Sequence, residues 1–188
     1  MFRGLCSLYS QPGRAYHNLD HVAAMLDIVS QCEGLLYEPL EVRLAVWFHD
    51  YVYDPRRKDN EEQSAAYMTV IFDHERWAFL RPRLTEMILA TKTHRARWGD
   101  TDCQVLLDAD LAILGASADE YDRYTRAIRE EYAWVPEADY RAGRHRVLQS
   151  FLDRERLYHT ATLFEHYEQA ARTNLRREIE WLTDPQKP

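Results

Sequence analysis

Residues 39–50 read PLEVRLAVWFHD, and we expect them to form the central helix of the protein. Pro39 suits a first helical turn, where the missing N–H of proline has no partner to lose. The apolar positions that follow are Val42, Leu44, Ala45, Val46 and Phe48. The helix then ends in His49 and Asp50, and Pro55 limits any continuation. Ionisable side chains at the end of a buried helix are unfavourable unless a partner, often a metal ion, compensates them.

The composition indicates a globular, helical protein. Apolar residues make up 46% and charged residues 29% of the 188 positions, which is typical of a globular chain and not of a disordered one. Only 6 glycines and 7 prolines interrupt the sequence, and no stretch alternates with the period of two that marks strands. We therefore predict an all-α fold, a single helical bundle over residues 1–188.

Charge and cysteine usage bear on partners and location. The net charge of −7 argues against a nucleic-acid-binding surface. It permits a small phosphorylated substrate, since a bound cation can reverse the local field. Cys6, Cys32 and Cys103 are an odd set without a CxxC pair, which favours reduced thiols and a cytoplasmic location. Met1–Tyr9 does not resemble a signal peptide, and no run of about 18 apolar residues could cross a membrane.

Hydrophobic periodicity, prolines and capping residues divide the chain into seven to nine helices. The expected spans are residues 2–9, 14–31, 39–50, 60–74, 83–93, 102–114, 117–132, 136–151 and 162–182. Asn60 is expected as an N-cap, and Ser117 with Glu120 as a capping box.

Side chains that can bind metals interrupt four of these apolar elements. His17 and His21 lie four residues apart and would share one face of the helix over residues 14–31. The other candidates are His49, Asp50, His94, Asp108 and Asp110. Alone, each is more often a capped or hydrogen-bonded core residue. Together, imidazole nitrogen and carboxylate oxygen suit magnesium or first-row divalent metals better than a structural, thiolate-type zinc site.

The order of these motifs resembles that of the HD superfamily of metal-dependent phosphohydrolases, whose signature is H…HD…D on a bundle of helices. The segment YHNLDH at residues 16–21 is similar to the YHNxxH motif of cyclic-nucleotide phosphodiesterases, distant relatives in that superfamily. YHNxxH, WFHDxVYD, NEExSA and DADLxILG together resemble a bacterial group of predicted HD phosphohydrolases. The similarity covers residues 9–115 and the C-terminal third more loosely. These motifs are specific for the family and not for a substrate.

The resemblance implies a ligand set for one or two divalent ions, drawn from Mn, Fe, Mg, Co, Ni or Zn. The implied ligands are His21, His49, Asp50 and Asp110. Asp108 is the alternative to Asp110, because either carboxylate of the helix could face inward.

The resemblance also implies residues that act beside the metal. His17 would donate a proton to the leaving group, or else hydrogen-bond the ligands from outside. His94 would contact a second metal or a phosphate, or else only complement a helix end. Some HD nucleotidases carry a glutamate three residues after the HD aspartate, where this chain has Tyr53. Glu61 is the candidate for that carboxylate, although a first-turn acid also stabilises a helix by itself.

We therefore predict a cytoplasmic metal-dependent phosphohydrolase for a phosphomonoester, phosphodiester or nucleotide. The phosphodiesterase glutamine that grips the purine has no counterpart, so cyclic-nucleotide specificity is not implied. One alternative is a catalytically silent protein of the same fold that senses a nucleotide, and another is a helical scaffold with a structural metal. Lys92, Arg144 and Arg154 are candidates for phosphate contacts, although basic side chains are usually solvated. The sequence leaves the oligomeric state open.

Overall fold

A computed structural model describes residues 2–184, with side chains from Leu5 onward. These residues form nine α-helices and no strand, which confirms the all-α prediction. The α-helices are α1 (Phe2–Tyr9), α2 (Leu19–Gln31), α3 (Pro39–Phe48), α4 (Asn60–Ile71), α5 (Leu80–Thr91), α6 (Thr101–Leu111), α7 (Ala118–Glu131), α8 (Glu137–Leu152) and α9 (Ala161–Thr183). Short 3-10 helices cover Glu33–Leu35, Glu75–Trp77 and Ala112–Gly115.

The chain divides into two compact units, Met1–Asp110 and Leu111–Pro188. The single domain over residues 1–188 stays a prediction. In the first unit, α3 packs against α2 and α5, and α4 packs against α5. The α3 side chains Val42, Ala45 and Val46 are completely buried. The predicted central position of this helix therefore holds within its unit.

The helix α2 begins five residues later than predicted. Asn18 accepts hydrogen bonds from the backbone N–H groups of Asp20 (2.8 Å) and His21 (3.4 Å), and so caps the helix at Leu19. His17 consequently lies in the turn before the helix. The prediction that His17 and His21 share one helical face is wrong, because the cap separates them.

A carboxylate from α6 caps the start of α3. Asp102 accepts backbone hydrogen bonds from Tyr37 (2.8 Å) and Glu38 (3.0 Å), although Glu38 itself supplies no side-chain cap. At the other end, His49 is the C-cap of α3. The helix is therefore held at its start by the same helix that carries Asp110.

Other helix ends also differ from prediction. Asn60 is the first residue of α4 and not its N-cap, because its side chain instead bonds the backbone N–H and carbonyl of Asp54 and closes the intervening loop. The helix over residues 102–114 ends as α-helix at Leu111 and tightens into the 3-10 turn Ala112–Gly115.

The second unit is built from α7, α8 and α9. The Ser117–Glu120 capping box at the start of α7 is confirmed, with both reciprocal hydrogen bonds present. α9 packs against α8 and against the 3-10 turn that ends at Gly115. A Cβ at Gly115 would lie 2.7 Å from Cβ of Tyr167, so only glycine allows this close approach.

The structure gives the length and apolar character of the helices and the state of the three cysteines. Within residues 2–184, none of the helices has the length and apolar character needed to cross a bilayer. Cys6, Cys32 and Cys103 are all free thiols.

Candidate metal centre

Three elements of the first unit bring their ligand-type side chains to one point. His21 comes from the first turn of α2, His49 from the end of α3, and Asp110 from the last turn of α6. Both histidines are buried, with side chains only 3% and 2% exposed. The structure thus assembles three of the four predicted metal ligands across 89 residues of chain (110 − 21).

The spacing of the facing atoms suits one metal ion. His21 Nε2 lies 3.3 Å from His49 Nε2 and 3.2 Å from Asp110 Oδ1, and His49 Nε2 lies 3.8 Å from that oxygen. Ligands bound at about 2.1 Å to a common ion lie roughly 3.0–3.4 Å from one another. The residues therefore fit a divalent cation with little rearrangement.

The tautomer of His49 is set by its own helix. Its Nδ1 lies 2.8 Å from the Val46 carbonyl oxygen. A carbonyl only accepts, so Nδ1 carries the donated proton, and Nε2 directs a lone pair into the cluster once it has lost its own proton. Such a hydrogen bond to the outer nitrogen is the usual way in which a metal-binding histidine is oriented.

Asp50, the fourth predicted ligand, joins the cluster through His49. Its Oδ2 lies 3.1 Å from His49 Nε2, the same nitrogen that faces His21 and Asp110. The Asp50 side chain is 16% exposed, so it lies nearer the surface than the two histidines. Asp50 can therefore complete a set of two nitrogens and two carboxylates.

His94 approaches the cluster from the other side of Asp110. Its Nε2 lies 2.9 Å from Asp110 Oδ2, while Oδ1 of the same carboxylate faces the other two histidines. The backbone of His94 is left-handed, with φ of 50°, the only positive φ of a non-glycine residue in the described chain. This conformation is uncommon and unfavourable for a non-glycine residue, although histidine adopts it more readily than most. It follows the end of α5 at Thr91 and directs His94 to Asp110.

The buried charges in this cluster are strongly coupled. Burial opposes a charge on His49, but the adjacent Asp50 carboxylate outweighs it and raises the pKa of His49 to about 9. Burial alone would raise the pKa values of Asp50 and Asp110, but their histidine partners hold both below the usual range. Burial lowers the pKa of His21 in spite of Asp110. Two carboxylates against one protonated imidazole leave negative charge for a cation.

His17 lies beside the cluster without belonging to the ligand group. Its ring centroid is 5.9 Å from that of His21, and it stacks on Tyr53 at 4.1 Å and 25°. Its positive form would also lower the pKa of Asp50, which places the two side chains in electrostatic contact. Tyr53 therefore positions His17.

Two other predicted residues lie elsewhere. Glu61 Oε2 lies 3.7 Å from Lys92 Nζ, and within residues 2–184 no hydrogen bond or ion pair joins Glu61 to the cluster. Lys92 itself is bound to Glu62 (2.5 Å) and to the Lys58 carbonyl (2.7 Å). Asp108 is fully buried and contributes to raising the pKa of Cys32, after the larger effect of burial. The structure thus brings Asp110, and not Asp108, to the histidines.

No family model, curated protein or solved structure matches this chain. The resemblance to HD phosphohydrolases therefore stays a prediction from the motifs. The geometry of His21, His49 and Asp110 supports a metal centre without any relative.

Sequence reasoning overlooked Arg14. Its guanidinium is buried and donates to the backbone carbonyls of His17, Asp50 and Tyr51. Its position two residues after Pro12 indicates a turn, but no local pattern reveals that its side chain reaches the end of α3.

Proposed function

We propose that this protein is a metal-dependent phosphohydrolase that acts on a small phosphate ester. The observation that carries the proposal is the convergence of His21, His49 and Asp110, with Asp50 beside them. A divalent cation held there would supply Lewis acidity and lower the pKa of water, which is the chemistry that a negatively charged phosphoester requires for attack.

The exposure of the cluster favours a reaction over a purely structural metal. His21 and His49 are buried, whereas Asp50 and Asp110 are 16% and 15% exposed and His94 is 17% exposed. Solvent therefore reaches the carboxylate side. Structural metal sites are usually closed by protein ligands, whereas catalytic sites keep one position accessible.

The residues around the ligands have distinct parts in this proposal. Asp50 and Asp110 hold negative charge that binds the cation, and His49 is oriented by Val46 to present its lone pair. His17, near Asp50 but outside the ligand group, would donate a proton to the leaving oxygen. His94 would bind a phosphate oxygen or a second ion through the accessible side.

The test is metal analysis of the purified protein, followed by hydrolysis of phosphomonoesters, phosphodiesters and nucleotides with Mn, Mg, Co, Ni or Zn restored. We expect Asp110→Asn to weaken metal binding by about 100-fold or more and to abolish hydrolysis. Asp108→Asn is the matched control, because it changes a buried carboxylate of the same helix and should leave the metal bound.

Full hydrolysis by a metal-free Asp50→Ala protein would contradict the proposal. Nucleotide binding without turnover under every metal would instead support the sensing alternative. Metal bound tightly with neither turnover nor nucleotide binding would support a structural metal.

A further inference from the structure

Arg14 reaches the end of α3, and its hydrogen bonds go to backbone oxygens. Nη1 donates to the carbonyls of His17 (3.1 Å) and Asp50 (2.8 Å), and Nη2 donates to the carbonyl of Tyr51 (3.0 Å). Within the described residues no carboxylate pairs with this guanidinium. Arg14 thus joins two segments separated by 33 residues (50 − 17) through their main chains.

The surroundings hold Arg14 in one orientation. The side chain is 8% exposed, and its guanidinium carbon lies 5.0 Å from the ring centre of Tyr9 and 5.5 Å from that of Tyr53. Nε is buried and has no hydrogen-bond partner among the described residues.

A guanidinium is well suited to this position. The carbonyls of Asp50 and Tyr51 directly follow the C-terminal end of α3, where the partial negative charge of the helix dipole favours a cation. The planar, forked donors of arginine reach several oxygens at fixed angles, whereas a lysine ammonium acts as a point charge. Arg14 can therefore fix directions as well as supply charge.

Tyr53 connects this arrangement to the ring of His17. One aromatic side chain stacks on the His17 ring at 4.1 Å and also lies 5.5 Å from the Arg14 guanidinium carbon. The backbone of His17 is thus held by Arg14 and its ring by Tyr53. Both contacts place His17 relative to Asp50.

We propose that Arg14 is a positioning residue that sets the place of His17, the proposed proton donor, against Asp50 at the metal centre. The effect on rate rests on the proposed function, whereas the placement of His17 does not. The hydrogen bonds of Arg14 go to backbone carbonyls and not to the ligand side chains, so its loss should disturb geometry more than metal binding.

The experiment compares Arg14→Met with Arg81→Met. Arg81 is a matched control, since its one ion pair among the described residues is with Asp73 at the surface, at 3.3 Å. In Arg14→Met we expect the NMR signals of the His17 ring to lose the shift caused by stacking on Tyr53, while Arg81→Met keeps it. Unchanged His17 signals in Arg14→Met would overturn the proposal.

The kinetic readout separates positioning from general damage. We expect kcat for bis(p-nitrophenyl) phosphate to fall by about 100-fold in Arg14→Met, since a misplacement of about 1 Å can have that effect. KM and Co²⁺ affinity should each change by less than about threefold, because the metal ligands come from α2, α3 and α6. A loss of kcat that only follows lost metal would overturn the proposal.

Two further measurements cover failure at an earlier step. If Arg14→Met does not fold, Arg14→Lys is tested instead, because it keeps the charge but not the planar donors of arginine. A normal kcat and normal His17 signals in Arg14→Lys would overturn the proposal that the guanidinium positions His17. If the wild-type protein hydrolyses nothing, the proposed function fails, while the His17 signals still decide whether Arg14 places that ring.

Discussion

Each unit buries a cluster of charged side chains, but the two clusters balance their charges differently. In Leu111–Pro188, Glu178 accepts hydrogen bonds from Arg144 Nε (2.8 Å) and Nη2 (3.1 Å), and from the Tyr121 hydroxyl (2.5 Å). In Met1–Asp110, the carboxylates of Asp50 and Asp110 form ion pairs only with histidines within the described part of the chain. The permanently charged Arg144 balances Glu178. The cluster of Asp50 and Asp110 has no such cation among the described residues, and a metal ion could supply the charge.

The two clusters also differ in how their groups are oriented. Arg144 and Glu178 side chains are 9% and 7% exposed and make bonds that satisfy one another. The nitrogens of His21 and His49 face each other at 3.3 Å, where two lone pairs would repel without a proton or a metal ion between them. Burial of charge therefore identifies a site only when the group lacks its own counter-ion.

The largest expected effect comes from breaking the buried ion pair of Arg144 and Glu178. Glu178→Ala leaves the Arg144 guanidinium buried without its carboxylate, and we expect the free energy of unfolding to fall by about 3–5 kcal/mol. Urea unfolding measures the change. Asp122→Ala, which breaks an exposed pair with Arg177, should cost only about 0–1 kcal/mol. Equal losses in both variants would contradict the difference between buried and exposed pairs.

The next effect is specific to the first unit. Co²⁺ at 100 times its dissociation constant should raise the free energy of unfolding by about 2.7 kcal/mol, because the ion binds only the folded cluster. Thermal or urea unfolding with and without a chelator measures the gain. Asp110→Asn should lose it, whereas Asp122→Ala should keep it. A similar gain in both variants would place the ion elsewhere.

The smallest effect concerns the ion pair of Arg83 and Asp100, whose side chains are partly exposed. Arg83 donates to both carboxylate oxygens of Asp100, and this lowers the pKa of Asp100 although its partial burial opposes the shift. A lowered pKa means that the stabilisation is present above the unfolded pKa of about 3.9 and is lost as pH falls through the folded value.

We therefore expect Asp100→Asn to lower the free energy of unfolding by about 0.5–1 kcal/mol at pH 7. The difference from wild type should shrink when urea unfolding is repeated near pH 3. Asp73→Asn is the control, because Asp73 is 83% exposed and should show little difference at either pH. A difference for Asp100→Asn that grows towards pH 3 would contradict the assigned sign.

Helix positions were largely predictable from local chemistry. Ser117 and Glu120 formed the predicted capping box, because that motif depends only on residues three apart. Asn60 was wrongly assigned as a cap and the cap at Asn18 was not foreseen, since asparagine can bond either a helix end or a loop carbonyl. Which partner it takes depends on the loop around it, and periodicity does not describe loops.

The site was predictable only where motif order carried information. His21, His49 and Asp110 meet in the structure as the motifs implied. The buried network of Arg144 was not foreseen, because basic side chains are solvated by default and nothing near Arg144 in sequence marks Glu178 as its partner. The left-handed backbone of His94 and the contacts of Arg14 likewise arise from tertiary packing.

The cap that Asp102 places on α3 has a consequence for the accuracy of the metal centre. Asp102 and Asp110 both lie on α6. Asp102 bonds the start of α3, and Asp110 faces His49 at the end of α3. The two helices therefore run in parallel over this length, and α6 fixes how far α3 can slide. Each residue of slippage would move His49 by about 1.5 Å and turn it by about 100°. Insertion of a single alanine into either helix would thus separate the ligands while both helices remained intact.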